Sequence, residues 1–219
     1  TLVSGPLAQL DQMNVIVVAT PGNQHGTYDS QAGANYFSAN PHALSVGAIW
    51  DRDVGAVAFR NSQDFSTGPD RLISFTNRHE RVVDIFAPGG QIQLATRGGG
   101  SGMVSGTSFA APQVAGYTVL AQQLAEEYLG RRLSLVEYRE LLRQTAVRIH
   151  DGDDEDDDVI NTGGTYPRID FPEVVQAIIG LQRQDVARAF LSPDASLTEV
   201  DLLVTSTAVS YTHLTLPTK

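Results

Sequence analysis

The most telling segment of the chain reads Gly106-Thr107-Ser108-Phe109-Ala110-Ala111-Pro112-Gln113-Val114-Ala115-Gly116. It predicts a helix of very small residues that begins at a sharp turn, since Gly106 permits backbone angles closed to other residues. Thr107 or Ser108 can cap its first turn, and Pro112 is tolerated early in a helix. Ser108 then lies at the positive end of the helix dipole, which suits a nucleophile. The same residues also fit an ordinary capped core helix, and both interpretations stay open at this point.

The segment resembles the nucleophile motif of the subtilisin-like serine peptidases, the subtilases, which usually have His where this chain has Gln113. That position has none of the three catalytic roles. The resemblance implies that Ser108 attacks a peptide carbonyl and forms an acyl-enzyme. It also implies an α/β fold, a three-layer sandwich with a largely parallel central sheet and helices on both faces. The alternation of strand-like and helix-like segments favours the same class.

A second motif comes near the start of the chain. Residues 15–19, Val-Ile-Val-Val-Ala, are typical of a buried parallel strand, and Thr20-Pro21-Gly22-Asn23 follows. This resembles the family's strand that ends in Ala-Gly-Asn. The resemblance implies that the Asn23 amide and the Ser108 backbone N–H hold the oxyanion, while Thr20, Pro21 and Gly22 line the pocket for the substrate residue before the scissile bond. Taken alone, Asn23 is equally compatible with a turn.

Other segments match the family in the expected order. Residues 41–48 resemble the next strand, and residues 56–62 resemble the Phe-Ser-Asn segment that follows it. Residues 83–89 resemble the Ala-Pro-Gly stretch before the nucleophile, and residues 166–170 resemble the segment that closes the domain. Residues 65–79 resemble an extra surface loop. The resemblance predicts domains at 1–181, the C-terminal part of a catalytic domain, and at 182–208, a linker or further segment. Residues 209–219 resemble a translated sequencing adapter, so we expect an artefact tail, the alternative being a genuine threonine-rich end.

The catalytic triad is incomplete in these residues. In subtilases the triad Asp and His precede Ser in the sequence, and by resemblance both precede the oxyanion Asn. Residues 1–12 indicate only the helix that leads into the first strand. We therefore expect that the N-terminal half of the domain, with both residues, lies upstream and that this portion alone is inactive or nearly so. His25-Gly26-Thr27 spells the start of the family's histidine motif, but no apolar helical period follows, which favours a loop histidine near the cleft.

Composition bounds the partners. Hydrophobic residues make up 42% and charged residues 18% of the 219 residues, as in ordinary globular proteins, and no run is long enough for a membrane helix. The absence of cysteine excludes disulfides and cysteine-based zinc sites. No basic patch accompanies the net charge of −10, which disfavours nucleic-acid binding. The resemblance to the subtilases implies a secreted monomer that acts on peptides or proteins and needs no cofactor or metal for its chemistry.

Residues 151–158, Asp-Gly-Asp-Asp-Glu-Asp-Asp-Asp, concentrate negative charge in one short run. The run lacks the spacing of an EF-hand loop, so it is interpreted either as a solvated loop or as a weak structural calcium site. Two other functions compete with peptide hydrolysis. One is an esterase of the α/β-hydrolase type, whose nucleophile motif is Gly-x-Ser-x-Gly; here Ala110 replaces the last glycine. A non-catalytic relative that keeps the scaffold for binding is the other alternative.

Overall fold

The computed structural model describes residues 3–190, which contain both helices and strands. A single 3₁₀ turn covers Gly26–Tyr28. In chain order the other elements are α1 (Ser4–Gln12), β1 (Val18–Ala19), β2 (Leu44–Ile49), β3 (Val57–Ala58), β4 (Gln63–Asp64), β5 (Ile85–Pro88), β6 (Ile92–Ala95), β7 (Ser101–Val104), α2 (Thr107–Leu129), α3 (Leu135–Thr145), β8 (Val147–His150), β9 (Thr165–Arg168) and α4 (Phe171–Phe190).

The central sheet has five strands in the order β1-β2-β5-β9-β8. The first four run parallel, and β8 pairs antiparallel with β9. Every residue of β2 is buried, as a strand covered on both faces requires. The predicted α/β class with a largely parallel sheet is therefore confirmed.

Apolar residues fill both faces of the sheet. The larger cluster lies between the strands and helices α2, α3 and α4, and it includes Val46, Ile85 and Val114. Alternate residues of the same strands point the other way, into a smaller cluster that includes Ile49 and Phe86. No helix within residues 3–190 is both long and apolar enough to cross a membrane.

Strand β1 differs from its prediction. The run 15–19 was expected to be one buried strand, but only Val18–Ala19 pairs with β2, and Val15 is 39% exposed. Within the described residues β1 has a neighbour on one side alone, so its apolar side chains are covered on fewer sides than those of β2.

Helix α2 confirms the helix predicted from the opening motif, but not its cap. Gly106 is the N-cap with φ of 157°, and no side chain caps the first turn. The Thr107 hydroxyl donates instead to the side chain of Asn23, 2.8 Å away. Gly89, which follows β5, lets the helix approach the sheet, since an added Cβ there would lie 2.6 Å from the Ala48 Cβ.

One segment prediction is wrong in this region. Residues 65–79 are predicted as a surface loop, yet Leu72, Ile73 and Phe75 are buried in the two clusters. The apolar residues at 72, 73 and 75 explain the difference, because they stabilise the fold only when they are withdrawn from water. Residues 56–62 follow β2 in the chain and contribute to the β3–β4 hairpin, which is separate from the central sheet.

The C-terminal helix is also longer than predicted. It was expected to close the domain at residue 181, but α4 continues without a break to Phe190. The remaining predictions for this end, the further segment up to 208 and the tail at 209–219, lie outside the described residues.

The acidic run, residues 151–158, packs against the protein, and we call it the acidic strap. Asp151 is completely buried and pairs with the equally buried Arg78. Along the strap, Arg71 donates to Asp154, Ser66 to Asp156 and the Gln63 backbone to Asp158. The interpretation as a solvated loop is therefore wrong for Asp151, whereas residues 152–154, 156 and 158 are exposed. The carboxylates of Asp153, Asp154 and Glu155 cluster within 4.8 Å at its exposed turn.

Candidate active site

Ser108 is the second residue of α2 and is exposed. The helix begins at the carboxyl ends of the parallel strands. Gly89 donates to the carbonyl of Ile49 over 3.0 Å, and Gly106 donates to the carbonyl of Gly89 over 2.8 Å. Ligands of open α/β sheets bind at this edge. Ser108 thus has the exposure and the support that a nucleophile needs.

Asn23 lies directly beside the start of α2. Its side-chain oxygen accepts hydrogen bonds from the Thr107 backbone nitrogen at 3.0 Å and from the Thr107 hydroxyl at 2.8 Å. Its side-chain nitrogen lies near Gly106, because a Cβ added to that glycine would be 3.3 Å from it. With its oxygen occupied, the amide keeps its two hydrogens for other acceptors next to Ser108. This arrangement can stabilise a negative oxygen.

The three predicted pocket residues before Asn23 are tightly held. Asn35 donates from its side chain to the Thr20 carbonyl at 2.6 Å and from its backbone to the Pro21 carbonyl at 2.9 Å. The Gly22 carbonyl accepts from the Asn77 backbone at 2.9 Å. Gly22 has φ of 114°, a conformation that favours glycine. The structure thus brings this loop next to the first turn of α2, which carries Ser108. The pocket role of Thr20, Pro21 and Gly22 stays a prediction.

A cavity of about 360 Å³ opens beside Asn23. Phe59 and Phe75 meet edge to face in its wall, with ring centroids 4.7 Å apart. Gln24, which follows Asn23, and Ser105, which precedes Gly106, also line the cavity. Arg60 and Asn61 of the β3–β4 hairpin add polar side chains to the lining. A cleft of this size beside the candidate nucleophile can receive part of a bound chain.

One histidine–aspartate pair resembles the base of a serine hydrolase but lies at the wrong edge of the sheet. His42 Nδ1 is 2.6 Å from Asp11 Oδ2. His42 precedes β2, whereas the start of α2 meets the other end of that strand. A six-residue strand is about 20 Å long, so this pair cannot activate Ser108. His150, whose Nδ1 is 3.3 Å from the Thr165 hydroxyl, lies at the same distant edge, at the start of β9.

His25 is close to the site in sequence but faces the interior. It is 1% exposed, and its Nε2 lies 3.3 Å from the Ile160 carbonyl. Burial, together with the nearby Arg78 charge, lowers the pKa of His25 to about 4. The ring is therefore neutral at pH 7 and is held by a backbone carbonyl, not by Ser108. Within residues 3–190 no hydrogen bond joins Ser108 to a histidine.

A buried polar cluster lies below the cavity. The Ser74 hydroxyl is 2.9 Å from the Ser62 hydroxyl and 3.1 Å from Asp64 Oδ2, and the Ser74 backbone donates to Asp64 Oδ1. Asp64 forms a backbone bridge with Asp157 of the acidic strap. Burial raises the pKa of Asp64 to about 7 and that of Asp157 to about 6.

Reasoning from the sequence missed two residues that shape the site. Thr107, which with Ser108 is one of two predicted helix caps, binds Asn23 instead. Asn77 was placed in a surface loop, yet it is 8% exposed and contacts the loop that carries Asn23. The available signal was the run Leu72-Ile73-Ser74-Phe75, whose apolar residues do not suit an exposed loop.

Known proteins match this chain over most of its described length. The profile of the Subtilase family, Peptidase_S8, matches residues 3–173. A subtilisin-like serine protease of Penicillium rubens, Pen ch 13.0101, is 57% identical over 51 residues, which are 23% of this chain and 13% of that protein. An intracellular serine protease of Paenibacillus polymyxa is 32% identical over 132 residues, 60% of this chain and 35% of the relative.

Solved structures agree with the fold. The patellamide maturation protease PatA superposes with a TM-score of 0.59 at 25% identity, covering 81% of this chain and 56% of that one. The prenylagaramide maturation protease PagA gives a TM-score of 0.59 at 22% identity, covering 80% and 55%. The chain therefore spans about half the length of these structures and a smaller share of the curated relatives. From its motif, its sheet and these matches, the chain belongs to the subtilase family of subtilisin-like serine peptidases.

Proposed function

We propose that Ser108 is the nucleophile of a serine endopeptidase and that Asn23 donates to the oxyanion. The observation that carries this proposal is the pair of hydrogen bonds from Thr107 to the Asn23 oxygen. They fix the amide beside Ser108 with its hydrogens free, as an oxyanion site requires. The first N–H groups of α2, that of Ser108 included, have no partner within the helix and supply the second donor.

In the proposed reaction Ser108 Oγ attacks the peptide carbonyl carbon, and the carbonyl becomes an oxyanion held by Asn23 and the Ser108 N–H. A histidine base takes the serine proton and passes it to the leaving amine. Water then attacks the acyl carbonyl while the same histidine takes its proton. Ser108 Oγ leaves and takes that proton back, which releases the acid product. No metal or cofactor takes part in this chemistry.

The base and its orienting aspartate are proposed to come from residues beyond these 219. His25 is buried and held by Ile160, and His42 lies at the opposite edge of the sheet. Without a base an alcohol is a poor nucleophile at neutral pH. This chain alone is therefore expected to be nearly inactive.

The substrates are proposed to be peptides or proteins, which fits the cavity beside Asn23. The related structures are named as patellamide and prenylagaramide maturation proteases, and we assign neither of those substrates to this chain. By family resemblance we propose a secreted, monomeric enzyme. The sequence has no basic patch that would favour nucleic acid and no run long enough to span a membrane. Calcium at the exposed turn of the acidic strap remains an open structural proposal.

The test compares two polypeptides from the same gene, this chain and a longer one that includes the preceding coding sequence. Each is incubated with a fluorogenic peptide library, a p-nitrophenyl ester and a fluorophosphonate probe, with Ser108→Ala as the control. We expect peptide cleavage and labelling by the longer protein only, both lost in Ser108→Ala. Ester turnover without peptide cleavage would favour an esterase, and no labelling of either polypeptide would favour a scaffold.

A further inference from the structure

We propose that Asn77 is a positioning residue that holds loop 21–24 in the conformation presenting Asn23 to the oxyanion. The inference rests on the function proposed for Asn23. Asn77 itself touches neither Ser108 nor Thr107 through any hydrogen bond of the described structure. It acts through the loop.

Three hydrogen bonds connect Asn77 to the loop. Its backbone nitrogen donates to the Gly22 carbonyl at 2.9 Å, and its side-chain nitrogen donates to the Pro21 carbonyl at 3.0 Å. Its side-chain oxygen accepts from the Gln24 backbone at 2.9 Å. One buried residue thus contacts the loop on both sides of Asn23, so neither flank can move without breaking a buried hydrogen bond.

The loop is shaped to receive this side chain. A Cβ at Gly22 would lie 2.8 Å from the Asn77 side-chain nitrogen, so only glycine leaves room for the amide. On the other flank, the side-chain oxygen of Gln24 accepts from the Asn23 backbone at 3.0 Å. Two side-chain amides thus accept from consecutive backbone N–H groups of the loop. Gln24 accepts from the N–H of Asn23, and Asn77 accepts from the N–H of Gln24.

The segment that carries Asn77 is itself fixed. The His25 backbone donates to the Phe75 carbonyl at 3.1 Å, which pairs the end of the loop with the same segment. Arg78, which follows Asn77, is completely buried and donates to the carbonyls of Thr76 and Ile73. Residues 75–78 thus form a rigid support for the loop.

The chemistry of the contact selects an amide. The Asn77 side chain must donate to a carbonyl and accept from an N–H at the same time, which asparagine does with its two terminal atoms. A carboxylate keeps the acceptor but places a second oxygen against the Pro21 carbonyl. A protonated carboxyl group, however, both donates and accepts, so the Asn77→Asp variant regains the native pattern in acid.

The experiment uses the 219-residue chain and the ¹⁵N resonances of the Asn23 side chain and the Thr107 backbone. Asn77→Ala is expected to shift both resonances and to speed hydrogen exchange at the Thr107 N–H about tenfold. Asn61→Ala is the matched control, because Asn61 lines the same cavity and its side chain donates only to Thr27. It should leave both resonances in place.

Asn77→Asp supplies the decisive readout. At about pH 7 its Asn23 and Thr107 resonances should be displaced, and on acidification to about pH 5 they should return to the wild-type positions, since a buried carboxyl titrates above its usual range. A role confined to overall stability predicts a lower unfolding midpoint with both resonances unmoved, and that result would overturn the proposal. Since no step requires catalysis, failure here is distinct from failure of the proposed peptidase activity.

Discussion

The side-chain oxygen of Asn23 lies 3.0 Å from the Thr107 backbone nitrogen and 2.8 Å from the Thr107 hydroxyl. Rotating the amide to exchange its oxygen and nitrogen would place an NH₂ group against the Thr107 backbone N–H, which can only donate. The orientation of the amide is therefore fixed by Thr107, and the face toward the cleft carries hydrogens.

The first prediction concerns this amide in the longer polypeptide, which is proposed to be active. Asn23→Ala should lower kcat by about 10²–10³, the loss typical of one oxyanion donor in a serine peptidase. KM should change little, because the hydrogen bond strengthens in the transition state. Steady-state kinetics on a fluorogenic peptide measure both. A fall in kcat below about threefold would exclude Asn23 from the oxyanion site.

The second prediction isolates the Thr107 hydroxyl. Thr107→Val keeps the volume and the backbone N–H but removes one of the two bonds to Asn23, a neutral hydrogen bond of about 1 kcal/mol. We expect kcat to fall about fivefold. Thr107→Ser keeps the hydroxyl and serves as the matched control, with activity close to the wild type. A loss of activity in Thr107→Ser, with activity retained in Thr107→Val, would show that packing of the methyl group matters instead.

The third prediction concerns pH. Burial raises the pKa of Asp64 to about 7, above its value in the unfolded chain, so the folded protein binds a proton that the unfolded chain releases. Buried His25, with its pKa lowered to about 4, contributes an opposite slope, but the contribution of Asp64 to stability should fall as pH rises from about 4 to about 7. Asp64→Asn should flatten this dependence in urea unfolding followed from about pH 4 to about pH 8.

Asp157 and Asp84, whose pKa values burial also raises, keep part of the slope in that variant. Asp153→Asn changes an exposed carboxyl of the acidic strap and should leave the slope as in the wild type. An unchanged slope in Asp64→Asn would show that its carboxyl is not the titrating group.

The fourth prediction compares a buried and an exposed ion pair. Asp151→Asn leaves the guanidinium of Arg78 without its charge partner in the interior and should cost about 3–5 kcal/mol of unfolding free energy. Glu126→Gln breaks the exposed pair with Arg132 and should cost less than about 1 kcal/mol. Urea unfolding of the two variants at one pH gives the comparison. Similar losses would mean that the buried pair is replaceable.

The sequence allowed the main helix to be predicted because Gly106 and the small residues after it form a strong local pattern. The pattern of residues 15–19 predicted a buried strand of which only Val18–Ala19 pairs with β2, and β2 itself was predicted from the family resemblance of residues 41–48. The exposure of Ser108 follows from its place at the helix start.

The contacts of Asn77 and of the acidic strap could not be predicted in the same way. Asn77 binds a residue 53 positions earlier, and Asp151 binds Arg78 across 73 positions. Polar pairs of this kind have no periodicity, and each residue alone looks suited to a surface. The composition of the strap favoured exposure to solvent, because neighbouring carboxylates repel one another unless a buried cation such as Arg78 pairs with one of them.

The pair of Arg78 and Asp151 has a consequence for the order in which the protein is made. Arg78 adjoins Asn77, and its buried charge is balanced by a residue that is synthesised after the whole of helix α2. A nascent chain that ends before residue 151 contains Ser108, Thr107 and Asn23 but leaves Arg78 uncompensated. Loop 21–24, which carries the proposed oxyanion donor Asn23, should therefore reach its final shape late in translation, after most of the domain has emerged.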